Sequence, residues 1–190
     1  VEWEDGRAVP GPGVNADVKP LSLADLAGST AKTGGPIQGR ASVNAQGAGA
    51  SFSLNFADLR VDPETGKVDV LSYTAVQDAG KAIHPAYVEG QMQGGAVQGI
   101  GWALNEEYVY NDAGVMENAG FLDYRIPVAS DLRMISTEIV EVPNPSHPYG
   151  VRGVGETPIV APLAVVTNAV SRALDHRMTT LPLSPPNIVA

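Results

Sequence analysis

Residues 51–76 read SFSLNFADLRVDPETGKVDVLSYTAV, and no other stretch restricts the fold so tightly. Phe52, Leu54 and Phe56 alternate with small or polar residues, which is the period of a strand. The apolar phase then slips to Leu59 and Val61, which predicts a β-bulge near Ala57 and Asp58. Asp62-Pro63-Glu64-Thr65-Gly66 is a turn in which Pro63 presets φ and Gly66 supplies a positive φ, so that VDVLSYTAV runs back as the second strand. The pattern predicts a hairpin over residues 50–78.

Helical signals follow. His84-Pro85 places a proline at the first position of a helix over 85–104. That segment carries Gly90, Gly94, Gly95, Gly99 and Gly101, and each glycine costs about 1 kcal/mol against alanine in an exposed helix. Gly90, Gly94 and Gly101 fall near one stripe, with Gln91 and Gln98 beside it. A face so bare of side chains admits close approach of another helix or sheet, or of a flat ligand, and spacing alone leaves both open. The second strong helix is IVAPLAVVTNAVSRAL (159–174), with Leu163, Val166, Val170 and Leu174 along one face and Pro158 and Pro162 in its first turn. A short helix over 21–28 is capped by Ser22 and Asp25 and stopped by Gly28. EEYVY (106–110), DYRIP (123–127) and MISTEIVEV (134–142) read as sheet, with NDAG (111–114) as a turn. The expected fold is α+β, with mixed or antiparallel sheet pieces covered by the glycine-rich helix and the C-terminal helix. Residues 1–49 read as a loop-rich segment ahead of the 50–190 region.

Composition narrows the function classes. A net charge of −9 disfavours nucleic acid and anionic membrane surfaces as partners, because both repel it. With no cysteine, the chain holds no disulfide, thiolate metal site or cysteine nucleophile, so any redox metal is carried by other groups. No apolar run approaches the length of a membrane span. The opening at Val1, in mid-phrase, suits either processing or a piece of a longer chain.

The segment GVRGVGETP (150–158) is the most loaded with chemistry. Its glycines free the backbone and deliver one carboxylate, Glu156, immediately before a long helix. Glu156 reads as a helix-start carboxylate favoured by the macrodipole or as a general base in a low-dielectric site, and the loop itself could cradle an anion. The phosphate-loop match is poor, since no Gly-Lys-Ser/Thr is present. His84, His147 and His176 are scattered and read as surface or capping residues. Glu106 and Glu107, adjacent in a strand-like run, point to opposite faces and cannot act as a dyad.

The phrases GQMQGGAVQGIGWALNEE (90–107), FLDYRIP (121–127) and YGVRGVGETPIVAPLAVVTNAVSRAL (149–174) together resemble the C-terminal part of the molybdopterin-binding large subunit of the xanthine dehydrogenase/aldehyde oxidase/carbon monoxide dehydrogenase family. The hairpin, VQDAGKAIHP (76–85) and LPLSP (181–185) fit as well; residues 1–49 fit loosely.

This resemblance implies a molybdopterin-dependent oxidoreductase that hydroxylates an aldehyde or N-heterocyclic carbon with oxygen from water. Glu156 stands at the position of the family's catalytic base. Gln91 stands at that of a pterin contact, with Gln98 facing the same way and Gly94 and Gly155 allowing close approach. The implied cofactor is a molybdenum-pterin, as molybdopterin or its cytosine dinucleotide form, shared with an upstream molybdopterin-binding half that carries the family's remaining cofactor phrases. Iron–sulfur clusters and FAD or haem are expected only on partner subunits: an iron–sulfur subunit and a flavin or cytochrome subunit. A cytoplasmic location is expected, with the periplasm as the alternative. The competing expectation is a non-catalytic assembly or scaffold module that retains the fold.

Overall fold

The computed structural model describes residues 1–13, 18–36, 38–44, 47 and 49–189. It divides into two compact units, Val1–Asn44 and Ala45–Ala190. The first unit holds three short antiparallel strands, β1 (Glu2–Glu4), β2 (Arg7–Val9) and β3 (Leu21–Ser22), followed by helix α1 (Leu23–Ser29). Ser22 and Asp25 form the expected capping box: the Ser22 N–H donates to Asp25 Oδ2 at 2.9 Å and the Asp25 N–H to Ser22 Oγ at 3.2 Å. Gly28 does not stop this helix. The Ser29 and Thr30 hydroxyls satisfy the carbonyls of Leu26 and Ala27, and the chain turns away only after a 3-10 turn, at Gly34 and Gly35, both with positive φ.

The second unit is built on the hairpin. Strands β4 (Ser53–Val61) and β5 (Val68–Asp78) pair antiparallel, and β6 (Ser136–Val140) adds to β5 in parallel, giving the order β4-β5-β6. The turn closes as expected: Gly66 has φ +70°, and its N–H donates to the Asp62 carbonyl at 2.8 Å. The Asp62 carboxyl accepts from the Glu64 N–H, and the Thr65 hydroxyl and that N–H hold it below the usual carboxylate range.

The bulge exists, but it lies in the other strand. Asp58 pairs with Ser72 and Leu59 with Val70, so the extra residue is Leu71 of β5. Strand β4 alternates without interruption, and its apolar slip records which face carries the apolar residues. Phe52, Leu54 and Phe56 do share a face, but it is the outer one, where they are 69%, 59% and 55% exposed. Leu59 and Val61 lie on the inner face against the core.

A parallel pair needs a crossover, and helix α2 (Pro85–Leu104) lies within it, packing on β5 and β6. Helix α3 (Thr157–Ala173) covers β4 and packs against α2. Met92, Ala96, Ile100 and Ala103 of α2 meet Val166 and Val170 of α3 over Tyr73 and Ala75 of β5 in one buried cluster. Pro162 sits inside α3 rather than in its first turn, because the helix begins at Thr157. A last short helix, α4 (Pro185–Val189), follows Leu183, which is buried in the core. The architecture is thus α+β: a small mixed sheet carrying both helices on one face.

Two stretches read as sheet are not strands. In 106–110 only Tyr110 makes a bridge, to Met116, with the Glu117 N–H on the Val109 carbonyl beside it; the Asn118 side chain takes up the Val109 N–H and the Glu107 carbonyl, so no ladder extends further. Residues 123–127 leave a turn in which the N–H groups of Asp123 and Tyr124 donate to the Gly120 carbonyl, and Pro127 has no N–H for a ladder. The Tyr124 hydroxyl donates to the Glu106 carboxylate at 2.8 Å, which pushes the phenol pKa up to about 12.

Candidate functional site

The glycines of α2 divide between two faces. Gly95 and Gly99, one turn apart, meet Pro158 and Pro162 of α3, also one turn apart. A Cβ added at Gly95 would lie 2.7 Å from Pro158 Cβ, and one at Gly99 2.8 Å from Pro162 Cβ and 2.9 Å from the Ile159 carbonyl oxygen. These two glycines exist for helix packing. Gly101 is also enclosed, by Glu106 and Pro127, and so leaves the stripe assigned to it from spacing. Gly90 and Gly94 behave differently: a Cβ at either position meets nothing within 4 Å. They are exposed together with Gln91 and Gln98, on a face that the exposed rings of Tyr87, one turn before Gln91, and Trp102, one turn after Gln98, bound at its two ends.

The loop before α3 comes up beside this face. Tyr149 and Gly150 both take positive φ, turning the chain so that Val151 bridges back to Gly80. Gly155 is exposed, and its nearest neighbour is Gln91, whose Nε2 lies 3.6 Å from where a Cβ would sit. Gly153, like Gly94, has open space. Glu156 follows as the residue capping α3; it is exposed, and its side chain makes no capping hydrogen bond. The carboxylate is therefore not consumed in holding the helix end. Two of the predicted site residues, Gln91 and Gly155, are in direct proximity, and Gly94 and Gln98 extend the same helix face.

A cleft of about 230 Å³ adjoins this point, lined by His84, Tyr87, Gln91, Arg152 and Val154 among others. His84 caps α2, its Nδ1 accepting from the Tyr87 N–H at 3.3 Å, and the two rings stack at 4.0 Å. That is the capping role expected of it. Among the described residues no group of His, Asp and Glu could hold a metal ion. A larger cavity of about 360 Å³ lies at the opposite end of α2, around Ile100, Leu104 and Leu183, away from Glu156.

Sequence reasoning missed three residues that hold the loop. Gln77 donates to the Gly153 carbonyl, and Asp78 pairs with Arg152 at 3.0 Å. The signals were the dipeptide Gln-Asp closing the hairpin and the arginine just ahead of the glycines, but neither names its partner.

Residues 1–133 match the molybdopterin cofactor-binding domain family. The chain belongs to this family. The matched region includes the face of α2 and ends upstream of Gly155 and Glu156. Over 169 residues the chain is 36% identical to the xanthine dehydrogenase molybdenum-binding subunit of Escherichia coli O157:H7, covering 87% of this chain and 22% of that protein. It is 31% identical over 140 residues to the aldehyde oxidoreductase of Megalodesulfovibrio gigas, covering 73% of this chain and 15% of that one. Among solved structures, quinoline 2-oxidoreductase from Pseudomonas putida 86 superimposes with a TM-score of 0.66 at 37% identity, over 70% of this chain and 17% of that one. Carbon monoxide dehydrogenase from Oligotropha carboxidovorans gives 0.69 at 29%, over 73% and 18%. The chain thus spans about a fifth of the length of such relatives. Among the described residues no helix is long and apolar enough to cross a membrane.

Proposed function

We propose that this chain is the C-terminal catalytic portion of a molybdenum hydroxylase subunit, supplying the general base Glu156 and one wall of the pterin site, and inactive alone. The observation that carries this reading is the meeting of two glycine-lined surfaces. Gln91, on the α2 face that carries the open Gly90 and Gly94, lies against Gly155 in a loop whose Gly153 is open as well, with an uncommitted carboxylate next in sequence. A flat, polar cofactor fits such a wall, because glycine lets it approach the backbone and the Gln91 and Gln98 amides both donate and accept hydrogen bonds.

The molybdenum-pterin group, as molybdopterin or its cytosine dinucleotide form, supplies a Lewis acid and a two-electron acceptor when bound. In the net reaction a substrate C–H becomes C–OH, with the oxygen taken from water and two electrons and two protons released. Glu156 takes one of those protons on a carboxylate oxygen, and its exposed position gives it reach. Gln91 holds the ligand edge against Gly155. The upstream half of the subunit completes the enclosure, an iron–sulfur subunit accepts the electrons, and a flavin or cytochrome subunit passes them on.

Two results test this reading. The isolated chain binds no molybdenum on metal analysis; about one molybdenum per chain overturns the shared site. In the isolated chain, Gly94→Ala raises the thermal midpoint, since alanine favours a helix over glycine by about 1 kcal/mol, and a Cβ there meets no other described atom within 4 Å. In the complete subunit the same substitution lowers the molybdenum content, because that Cβ occupies space the cofactor needs. Unchanged molybdenum content places the pterin elsewhere and favours a scaffold role for this surface.

A further inference from the structure

We propose that Gln77 and Asp78, consecutive residues at the end of β5, form a two-sided clamp that sets the position of the Glu156 carboxylate; this rests on the reading of Glu156 as the base. Alternation along a strand sends their side chains to opposite faces of the sheet. On the inner face Gln77, 1% exposed, donates from Nε2 to the Gly153 carbonyl at 3.3 Å. The same carbonyl accepts from the hydroxyl of Thr157, the first residue of α3, at 3.4 Å. On the other side Asp78 Oδ2 meets Arg152 Nε at 3.0 Å, with the two side chains only 11% and 14% exposed. Asp78 Oδ1 also accepts from the N–H groups of Gly80 and Val142, and Arg152 reaches the carbonyls of Val142 and Ala50. Two main-chain bonds complete the attachment: Lys81 N–H to the Gly150 carbonyl and Arg152 N–H to the Ala79 carbonyl.

Residues 150–153 are thereby fastened to residues 77–81 from both faces. Beyond them Val154 packs against the core and Gly155 has no side chain with which to anchor itself, so the path to Glu156 is set by the fastened loop and Val154 on one side and the first turn of α3 on the other. Gln77 is the telling residue. Among the described residues its Oε1 is buried without a hydrogen-bond partner, a costly arrangement that an apolar side chain would avoid. Its side-chain hydrogen bond among them goes to the loop that carries Glu156. Gln77 and Asp78 are positioning residues, acting on the reaction only through that carboxylate.

The test uses the complete, cofactor-loaded subunit. Gln77→Met removes the donor at similar volume, and a displacement of the base by about 1 Å lowers kcat by roughly ten- to a hundredfold. KM and molybdenum content stay unchanged. Amide hydrogen exchange at 151–156 accelerates, while β4 and β5 remain protected. Combined with Glu156→Gln, Gln77→Met brings no further loss of kcat. Arg152→Lys, which keeps the charge but shortens the fork of donors, gives the same exchange signature and serves if Gln77→Met fails to fold. Losses that multiply in the double variant, or unchanged exchange at 151–156 in the single ones, overturn the clamp. Full activity of Glu156→Gln alone overturns the base instead, and the exchange result still decides whether the loop is held.

Discussion

Glu156→Gln in the complete molybdenum-binding subunit lowers kcat by about 10²- to 10⁴-fold, the range a positioned general base contributes, while molybdenum content and thermal midpoint stay as they were. The substitution keeps the side chain's size and removes its proton affinity. Structure predicts little collateral damage, because Glu156 is exposed and its side chain caps nothing. Neighbouring Gly155 and Gln91 keep their own contact. Loss of activity with cofactor retained therefore separates proton transfer from cofactor binding. A variant keeping more than a tenth of the activity moves the base to another residue.

Gly99→Val has the largest effect on stability, about 3 kcal/mol at the upper end of ordinary overpacking. A Cβ at this position already falls within 2.9 Å of the Ile159 carbonyl oxygen and closer still to Pro162 Cβ. Neither neighbour is the end of a flexible side chain that could swing aside, since one is backbone and the other a ring atom buried inside α3. The helices must separate, and Met92, Ile100, Val166 and Val170 share the seam. For a unit of this size the thermal midpoint falls by roughly 10 °C. Gly94→Ala on the same helix moves it the other way, so the pair measures directly which glycines pack and which stay open. Equal effects from the two substitutions are incompatible with a helix that packs Gly99 against α3 and leaves Gly94 open.

Much of the local structure was legible. The hairpin ends where its turn chemistry places it, α2 runs from Pro85 to Leu104 as its opening proline and periodicity indicate, and Ser22 and Asp25 cap α1. Each depends on contacts within a few residues. The misreadings share a cause too. EEYVY and DYRIP carry strand-forming side chains, but their backbone groups are satisfied by an asparagine side chain and by a turn. Propensity cannot report whether a neighbouring strand is there to pair with. Likewise Phe52, Leu54 and Phe56 mark a strand correctly, yet period alone does not say which face meets the core.

The site divides in the same way. Sequence alone determined that a carboxylate stands at the start of a long helix behind a glycine loop, and that a glycine- and glutamine-bearing helix lies elsewhere in the chain. Steric freedom and helix-start geometry are properties of neighbouring residues, so they can be read in order. Only the tertiary structure decided that Gly95 and Gly99 serve packing while Gly90 and Gly94 stay open, that Gln91 reaches Gly155, and that Gln77 holds a carbonyl 76 residues away. Those outcomes depend on how the crossover brings α2 and the loop to the same end of the sheet. No local pattern encodes that distance, because it is set by the whole packed core at once.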